Sequence, residues 1–379
     1  MVYLDYNAST PVDQRILPAI AEAHAAFGNP SSSHHAAGQQ AAELIEEARS
    51  RVAQLVDRPL QDVVFTSGAT EATVLGILGA TLGAKGRPNI VVSATEHKAV
   101  IAAAETGARL HGGEVRIAPV GRDGLVDVDR LGNLIDDTVA VVAVMAANNE
   151  TGVLGPVKQA IELARQASAI SFVDATQFLG KTTQGDTITA ADILVCSSHK
   201  IYGPKGAGAL VANRHIQKSM VPLASGGGQE RGIRGGTQNT PSIVGFGLAA
   251  ELALKEQTTD ESRIGKLAGS FLAALTERLS DLEINGSTAE RLSNTYNIRF
   301  VGADAEAVMT SMPNVLVSAG SACQSAVPSP SHVLLAMGLS SKAASESLRI
   351  SLGRPTTEGE IEEAADAIAA AVTRVRELA

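Results

Sequence analysis

The feature that most restricts the fold of this chain is an alternation of short apolar runs with segments of helical spacing. The apolar runs lie at 63–65, 89–92, 115–117, 138–147, 170–173 and 193–196. Such an alternation is typical of βαβ units, in which parallel strands are buried beneath helices on both faces. The sequence therefore predicts an α/β fold, with a large domain built on a mostly parallel central sheet that is flanked by helices.

A second, smaller domain is indicated by a change of rhythm after the glycine-rich stretch 225–237. Two helical segments are predicted over 241–280. Short strands and helices then follow in mixed order, which is typical of an α+β domain. The predicted boundaries are 15–258 for the large domain, and 1–14 together with 259–379 for the small domain.

Charge and composition disfavour several classes of partner. With 31 Lys and Arg against 40 Asp and Glu, the formal net charge is −9, which argues against direct binding of nucleic acid. The longest apolar run, 139–147, is shorter than the roughly 20 residues that span a bilayer, so no membrane segment is expected. The amino-terminal residues lack the pattern of an export signal and the chain has two cysteines. We therefore expect a cytoplasmic protein without a disulfide framework.

Ligands of open α/β sheets lie beyond the carboxyl ends of the strands, so the residues that follow each apolar run are candidates for a binding site. The run 63–65 leads into the glycine turn 66–71 and then a predicted helix. Free N–H groups at such a helix start suit a phosphate. An ordinary turn capped by Ser67 or Thr70 is the alternative.

Three more side chains follow other predicted strands. Asp174 comes after 170–173, and Lys200 comes shortly after 193–196. If these strands are neighbours, both side chains reach one crevice, where a lysine with a lowered pKa can attack an aldehyde. His97 can stack on a planar ligand or carry protons. A capping aspartate, a surface lysine and a packing histidine are the simpler explanations.

These groups together match the parts of one cofactor. Pyridoxal phosphate has a phosphate, an aldehyde, a ring nitrogen that takes up a proton and a flat aromatic ring. The sequence has no Walker A motif and no GxGxxG turn opening a helix, which disfavours a nucleotide. We therefore interpret the strand-end residues as a site for pyridoxal phosphate.

A series of motifs runs in order along nearly the whole chain. They read YLDYNASTPV, FGNPSSSH, VFTSGATEA, TEHKAV, NNETGV, VDATQ, SSHKIYGPKGAGAL, GGGQERGIRGGT, SAGSAC and LRISLGR. Together they resemble the cysteine desulfurases of the NifS and IscS group, within the class V aminotransferases. The resemblance implies a pyridoxal phosphate-dependent transferase of fold type I that forms a homodimer.

The resemblance also implies a role for each matching residue around the cofactor. Lys200 matches the lysine that binds the aldehyde of pyridoxal phosphate, and Ser197 and His199 match residues beside its phosphate. Asp174 matches the partner of the ring nitrogen. Gln177 matches the donor to the ring oxygen.

Further matches complete the cofactor site. Ala69 and Thr70 match the turn that binds the phosphate. His97 matches the histidine that stacks on the ring and takes part in catalysis. Thr237 is similar to the residue that reaches the phosphate from the other subunit of the homodimer.

The substrate side is implied in the same way. Asn149, which is also expected beside the cofactor, and Arg349 match the pair that fixes the substrate carboxylate. Cys323 matches the catalytic nucleophile, and its surroundings, rich in Ser, Ala, Gly and Pro, predict a movable loop. Cys196 lies within an apolar run and is predicted to be a small core residue.

The resemblance implies an enzyme that removes sulfur from L-cysteine, releases L-alanine and leaves a persulfide on Cys323. A sulfur-acceptor protein then takes the persulfide sulfur, for iron–sulfur cluster assembly, tRNA thiolation or DNA phosphorothioation. Two alternatives remain open from the sequence. One is a selenocysteine lyase or another class V aminotransferase, and the other is a non-catalytic scaffold for sulfur transfer.

Overall fold

The structure is a computed structural model that describes residues 1–183, 187–320 and 330–378. Its strands, in chain order, are β1 (Val2–Tyr3), β2 (Val63–Thr66), β3 (Asn89–Ser93), β4 (Val115–Ala118), β5 (Val139–Ala143), β6 (Ile170–Asp174), β7 (Ile193–Ser197), β8 (Gly208–Ala212), β9 (Leu282–Ile284), β10 (Thr295–Phe300), β11 (Val315–Leu316) and β12 (Ser347–Ser351). Its helices are α1 (Leu17–Ala25), α2 (Ala36–Leu55), α3 (Ala69–Gly83), α4 (Lys98–His111), α5 (Val128–Asn133), α6 (Val157–Gln166), α7 (Arg214–Ser219), α8 (Thr240–Arg278), α9 (Ala305–Ser311), α10 (His332–Ala336), α11 (Ser341–Ser345) and α12 (Glu358–Leu378).

The central sheet has seven strands in the order β2-β8-β7-β6-β5-β3-β4. Strands β7, β6, β5, β3 and β4 are parallel, and β8 pairs antiparallel with both β7 and β2. Strands β6 and β7 are direct neighbours, with Asp174 opposite Val195, which meets the condition set above for Asp174 and Lys200 to reach one crevice. The α/β fold with a mostly parallel sheet is therefore confirmed, and the carboxyl ends of these parallel strands meet at one edge.

Side chains of the central strands are buried on both faces, which explains why the strands read as continuous apolar runs. In β7, Leu194 and Cys196 belong to the core beneath α2 and α8, while Ile193 and Val195 belong to the opposite core beneath α3 and α4. The predicted strand 138–147 is shorter than expected. It ends at Ala143, and Met145 and Ala147 beyond it line a cavity, although the N–H groups of Val144 and Ala146 still donate to the carbonyls of Phe172 and Asp174.

A second layer of structure surrounds a three-stranded antiparallel sheet in the order β12-β10-β9 and a two-stranded parallel pair, β1 with β11. Helices α8, α9 and α12 cover these strands, and their apolar side chains form a core that includes Leu4, Phe271 and Ile368. The amino-terminal strand thus packs beside the last third of the chain, far away in sequence.

Helix α8 corrects one prediction. The sequence suggested two helical segments over 241–280, whereas the structure has one helix of 39 residues, Thr240–Arg278. The polar stretch at 255–262 interrupts the apolar spacing but contains no proline or glycine, so the backbone hydrogen bonds continue through it. The predicted domain boundary at 258/259 falls within this helix and stays a prediction.

None of the helices in the three described stretches is both long and apolar enough to cross a membrane.

A buried ion pair fixes the glycine-rich stretch 225–237 against the central sheet. The guanidinium of Arg49 on α2 donates to both carboxylate oxygens of Glu230, at 2.7 and 3.0 Å, and both side chains are at most 3% exposed. Glu230 also accepts from the backbone N–H of Phe65 at 3.0 Å, although its own φ is +45°. These contacts overcome the cost of a left-handed backbone at a residue other than glycine.

We expect Arg49→Met to lower the free energy of unfolding by about 3–5 kcal/mol, because it leaves the Glu230 carboxylate buried without its cation. Arg51→Met is the matched control on the same helix, since Arg51 pairs with exposed Glu47 and Glu251. We expect that control to cost about 1 kcal/mol or less. Chemical denaturation of the two variants measures the difference, and equal losses would contradict the structural role assigned to the buried pair.

Candidate active site

A cavity of about 480 Å³ opens where the parallel strands of the central sheet end. It is lined by residues from several strand ends, from the first turns of α3 and α4, and from the amino-terminal segment. The residues among them that the sequence singled out are Ala69, Thr70, His97, Asn149, Asp174, Gln177, Ser197, His199, Lys200 and Arg349. The fold therefore brings ten of the twelve predicted site residues to one place.

Lys200 lies in the short turn that follows β7. Its Nζ donates to the backbone carbonyls of Asn7 and of Ala8, the latter at 2.8 Å. Asp174, the last residue of β6, reaches the same cavity because β6 and β7 are adjacent and parallel. The amine and the carboxylate are thus presented side by side by two neighbouring strand ends.

Asp174 and Gln177 belong to one turn after β6. One oxygen of Asp174 accepts from the N–H of Thr176 at 2.9 Å, which is the local capping contact offered above as the simpler explanation. Both side chains also line the cavity, so capping and contact with a ligand are compatible. The Nε2 of Gln177 donates to the carbonyl of Asn7 at 2.9 Å.

The glycine turn between β2 and α3 is shaped for an anion. The N-cap of α3 is Gly68, and no side chain among the described residues caps the first turn, so the alternative of a Ser67 or Thr70 cap is wrong. The first N–H groups, at Ala69 and Thr70, therefore retain their positive partial charge at the cavity. Gly208 packs directly behind the turn, where a Cβ would lie 2.6 Å from the backbone of Gly68.

His199 and Ser197 lie next to this turn. Burial, followed by the nearby positive charge of Lys200, lowers the pKa of His199 to about 4. The imidazole is therefore neutral near pH 7, and its Nδ1 lies 3.2 Å from the hydroxyl of Ser9. Ser197 is buried at the end of β7.

His97 is the N-cap of α4. Its Nδ1 accepts from the backbone N–H of Ala99 at 3.1 Å, so the capping role weighed above is present. Because Nδ1 is an acceptor, the neutral ring carries its proton on Nε2. Burial lowers the pKa of His97, which keeps the ring neutral near pH 7. A cap and a proton-bearing nitrogen therefore coexist in one side chain.

Arg349, on β12, is 2% exposed and contributes the cation on the far side of the cavity. Its Nη2 donates to Asp5 at 2.6 Å and its Nη1 to the carbonyl of Asn149 at 3.2 Å. Its Nε has no hydrogen-bond partner among the described residues. Asn149 also lines the cavity, and its carbonyl contact joins it to Arg349. Their shared role in binding a substrate carboxylate stays a prediction.

The other two predicted residues are Thr237 and Cys323. Thr237 is exposed and is absent from the lining of the cavity in its own chain, so its contact with a second subunit stays a prediction. Cys323 falls within residues 321–329, which lie outside the described residues.

Three residues of the site, Asn7, Glu96 and the partly buried Lys181, were not identified from the sequence. Asn7 is 1% exposed and binds both Lys200 and Gln177 through its carbonyl. Lys181 donates to the side chains of Asn7 and Gln177. Glu96 is fully buried and accepts from the N–H of Met145 at 2.6 Å. Asn7 and Glu96 lie within the motifs YLDYNASTPV and TEHKAV, and Lys181 follows the motif VDATQ. Closeness to these motifs was the one indication in the sequence that the three residues belong to the site.

The pattern of the class-V aminotransferases matches residues 2–363, and the chain belongs to that family. It is 47% identical to a protein named cysteine desulfurase from Frankia sp. (strain EuIK1), over 394 residues that cover 100% of this chain and 93% of that protein. A solved structure named NifS-like protein superposes with a TM-score of 0.89 at 31% identity, covering 98% of this chain and 99% of that one. A structure of SspA in complex with cysteine has a TM-score of 0.81 at 32% identity, with coverages of 93% and 99%. The resemblance drawn from the motifs is therefore confirmed.

Glu96 supplies a pH-dependent test of this site. Burial, followed by the charge of Asp174, raises the pKa of Glu96 to about 8 from an ordinary value of 4.5. Between these two values the unfolded chain ionises the carboxyl while the folded protein keeps it protonated. Its contribution to stability is therefore complete at low pH and is lost as the pH rises towards 8.

We expect the apoprotein to lose about 2–4 kcal/mol more stability between pH 5 and pH 8 than its Glu96→Gln variant does. Glutamine keeps the shape of the side chain but cannot ionise. Glu105→Gln, at an exposed position on α4, is the control and is expected to follow the parent protein. Denaturation at a series of pH values measures this, and parallel curves for Glu96→Gln and the parent would contradict the assignment.

Proposed function

We propose that this protein is a pyridoxal phosphate-dependent cysteine desulfurase that converts L-cysteine to L-alanine and stores the sulfur as a persulfide on Cys323. The observation that carries the proposal is a cavity, in a class-V aminotransferase fold, that is lined by both Lys200 and Asp174 from the ends of adjacent strands. A relative that is 47% identical is named cysteine desulfurase, and one that is 32% identical was solved with cysteine.

Pyridoxal phosphate fits the residues that are present. The cavity volume of about 480 Å³ lies within the range of ordinary cofactor sites. The uncapped start of α3, with Ala69 and Thr70, and the neighbouring Ser197 and His199 form a cradle for the phosphate. Gly208 leaves that cradle open, since a side chain there would displace Gly68.

The rest of the cavity matches the ring. When bound, pyridoxal phosphate supplies an aldehyde that captures amines and a ring that accepts an electron pair. Asp174 and Gln177 line the cavity, where Asp174 would hold the proton of the ring nitrogen and Gln177 would donate to the ring oxygen. His97 also lines the cavity, and its ring would cover the flat face of the cofactor. Thr237 would reach the phosphate bound by the other subunit of the proposed homodimer.

Lys200 has two tasks in this proposal. Its Nζ would hold the aldehyde of pyridoxal phosphate, and once the substrate is bound the same amine would take the proton from the substrate Cα and return a proton to that carbon before L-alanine leaves. The carbonyls of Asn7 and Ala8 hold the amine at the cavity wall in the meantime. His97, which lines the cavity, would pass a proton to or from the substrate through its Nε2.

Substrate orientation comes from the opposite wall. Arg349 and Asn149 would bind the carboxylate of L-cysteine, and the Arg349 Nε without a partner among the described residues is available for it. The thiolate of Cys323 then attacks the substrate sulfur, so an S–S bond forms and the Cβ–S bond breaks. The electron pair of the broken bond stays on carbon, which takes up a proton and becomes the methyl group of L-alanine. No external oxidant is needed.

Several parts of the proposal concern partners. The persulfide passes to a sulfur-acceptor protein for iron–sulfur cluster assembly, tRNA thiolation or DNA phosphorothioation, and the net charge of −9 favours reaching any nucleic acid through that protein. We place the enzyme in the cytoplasm. A selenocysteine lyase or an aminotransferase is the alternative, and neither chemistry requires the Cys323 thiol.

The first test is the position of the cofactor. Borohydride reduction of the pyridoxal phosphate-loaded protein is expected to fix a pyridoxyl group on Lys200, which peptide mass spectrometry detects. Lys200→Ala is expected to lose both the label and the yellow colour, because no amine remains to bind the aldehyde. Labelling of Lys181 or Lys205 in the unchanged protein would refute the assignment of Lys200.

The second test concerns the thiol, and the two cysteines form a matched pair. Cys323→Ser is expected to keep the bound cofactor but to lose persulfide formation and at least about 99% of L-alanine production, since nothing accepts the sulfur. Cys196→Ser removes a buried thiol of the core and is expected to retain persulfide. Full alanine production by Cys323→Ser would favour the lyase or aminotransferase alternative instead.

A further inference from the structure

A second lysine approaches the cavity from behind Gln177. Lys181 follows Asp174 by seven residues, and its Nζ donates to the side-chain oxygen of Asn7 at 3.0 Å and to the Oε1 of Gln177. The proposed chemistry gives this partly buried amine no task. Its two contacts nevertheless join it to residues that line the cavity.

The contact with Gln177 determines which way the amide faces. A side-chain amide has a donor end and an acceptor end of nearly equal shape, so its orientation depends on its neighbours. The Nζ of Lys181 is a donor, and it therefore selects the Oε1 end of Gln177. The Nε2 end is then directed towards the carbonyl of Asn7, at 2.9 Å, and towards the cavity.

The amide nitrogen carries two hydrogens, and the carbonyl of Asn7 takes one of them. The second hydrogen remains for an acceptor in the cavity. If the amide were reversed, Oε1 would face both the Asn7 carbonyl and the ligand oxygen, and each of these contacts would become repulsive. A cofactor with a negatively charged ring oxygen therefore needs the orientation that Lys181 imposes.

We propose that Lys181 is a positioning residue, which holds the Gln177 amide with its N–H directed at the ring oxygen of the bound cofactor. This inference rests on the proposed function, since it assumes pyridoxal phosphate as the ligand. Lys181 itself does not touch the reacting atoms. It acts through Gln177.

The electrostatic surroundings of Lys181 agree with this role. Burial, and then the charges of Lys200 and Arg349, hold the pKa of Lys181 well below its usual value. A lysine amine donates hydrogen bonds whether it is charged or neutral, so the orientation of Gln177 is kept in both states. A lysine that supplied only positive charge would not need to lie between the two acceptors, Oδ1 of Asn7 and Oε1 of Gln177.

A double-mutant cycle tests the inference. The proteins are the full chain, Lys181→Met, Gln177→Ala and the double variant, each stripped of cofactor and titrated with pyridoxal phosphate. We expect Lys181→Met to raise the dissociation constant about fivefold to tenfold, as the loss of one oriented hydrogen bond does. The absorption maximum of the bound cofactor is expected to shift as well, because the ring oxygen loses its donor.

The decisive comparison is in the Gln177→Ala background. There, Lys181→Met is expected to change neither the dissociation constant nor the absorption maximum, since the amide that it orients is gone. Equal effects in the two backgrounds, or no effect of Lys181→Met in the parent protein, would overturn the inference. Lys85→Met, at an exposed position, is the control for the loss of a positive charge.

A replacement covers the case in which Lys181→Met does not fold. Lys181→Gln keeps a donor beside Gln177 and is expected to bind the cofactor within about threefold of the parent, because the hydrogen-bond donor is retained. A tenfold loss in this variant would count against the inference. If the unchanged protein does not bind pyridoxal phosphate at all, the proposed function fails. If it binds the cofactor but the effects of Lys181→Met and Gln177→Ala are additive, only the positioning role of Lys181 is refuted.

Discussion

The active-site geometry depends above all on the backbone carbonyl of Asn7. This one oxygen accepts hydrogen bonds from Lys200 and Gln177, which come from two different strand ends of the central sheet. The side-chain Nδ2 of Asn7 donates to Thr295 of the small sheet at 2.9 Å, and its backbone N–H donates to Ser351 at 2.9 Å. The amino-terminal segment is therefore the physical link that sets the distance between the two halves of the cavity.

The charges around this link explain why the cavity is suited to anions. Lys200, Lys181 and Arg349 lie close enough for the first and last to lower the pKa of Lys181. Asp5 compensates part of this charge by its 2.6 Å contact with Arg349. A phosphate at one end and a substrate carboxylate at the other would complete the compensation, whereas a cationic ligand would add to the repulsion. The electrostatics and the proposed ligands thus agree.

The sequence predicted those parts of the site that depend on local pattern. Apolar runs located the strands, and the residues after them, such as Asp174 and Lys200, reached the cavity because parallel strands share one carboxyl edge. Asn7 and Lys181 were missed for the opposite reason. Their hydrogen bond joins residues 174 positions apart in the chain, and no periodicity records such a contact. Helix α8 was divided in the prediction because a polar stretch ends an apolar face without ending a helix.

The two cysteines of the chain differ in what their surroundings permit. Cys196 is 3% exposed in the core of β7, and burial raises the pKa of its thiol to about 12. A thiol in that environment stays protonated near pH 7 and cannot be reached by a substrate, so it is inert as a nucleophile. Any sulfur chemistry that needs a protein thiol must therefore use Cys323. A desulfurase needs one reactive thiol, and a second reactive thiolate would compete with Cys323 for the substrate sulfur. The burial of Cys196 in the sheet is therefore consistent with one sulfur-accepting thiol in each chain.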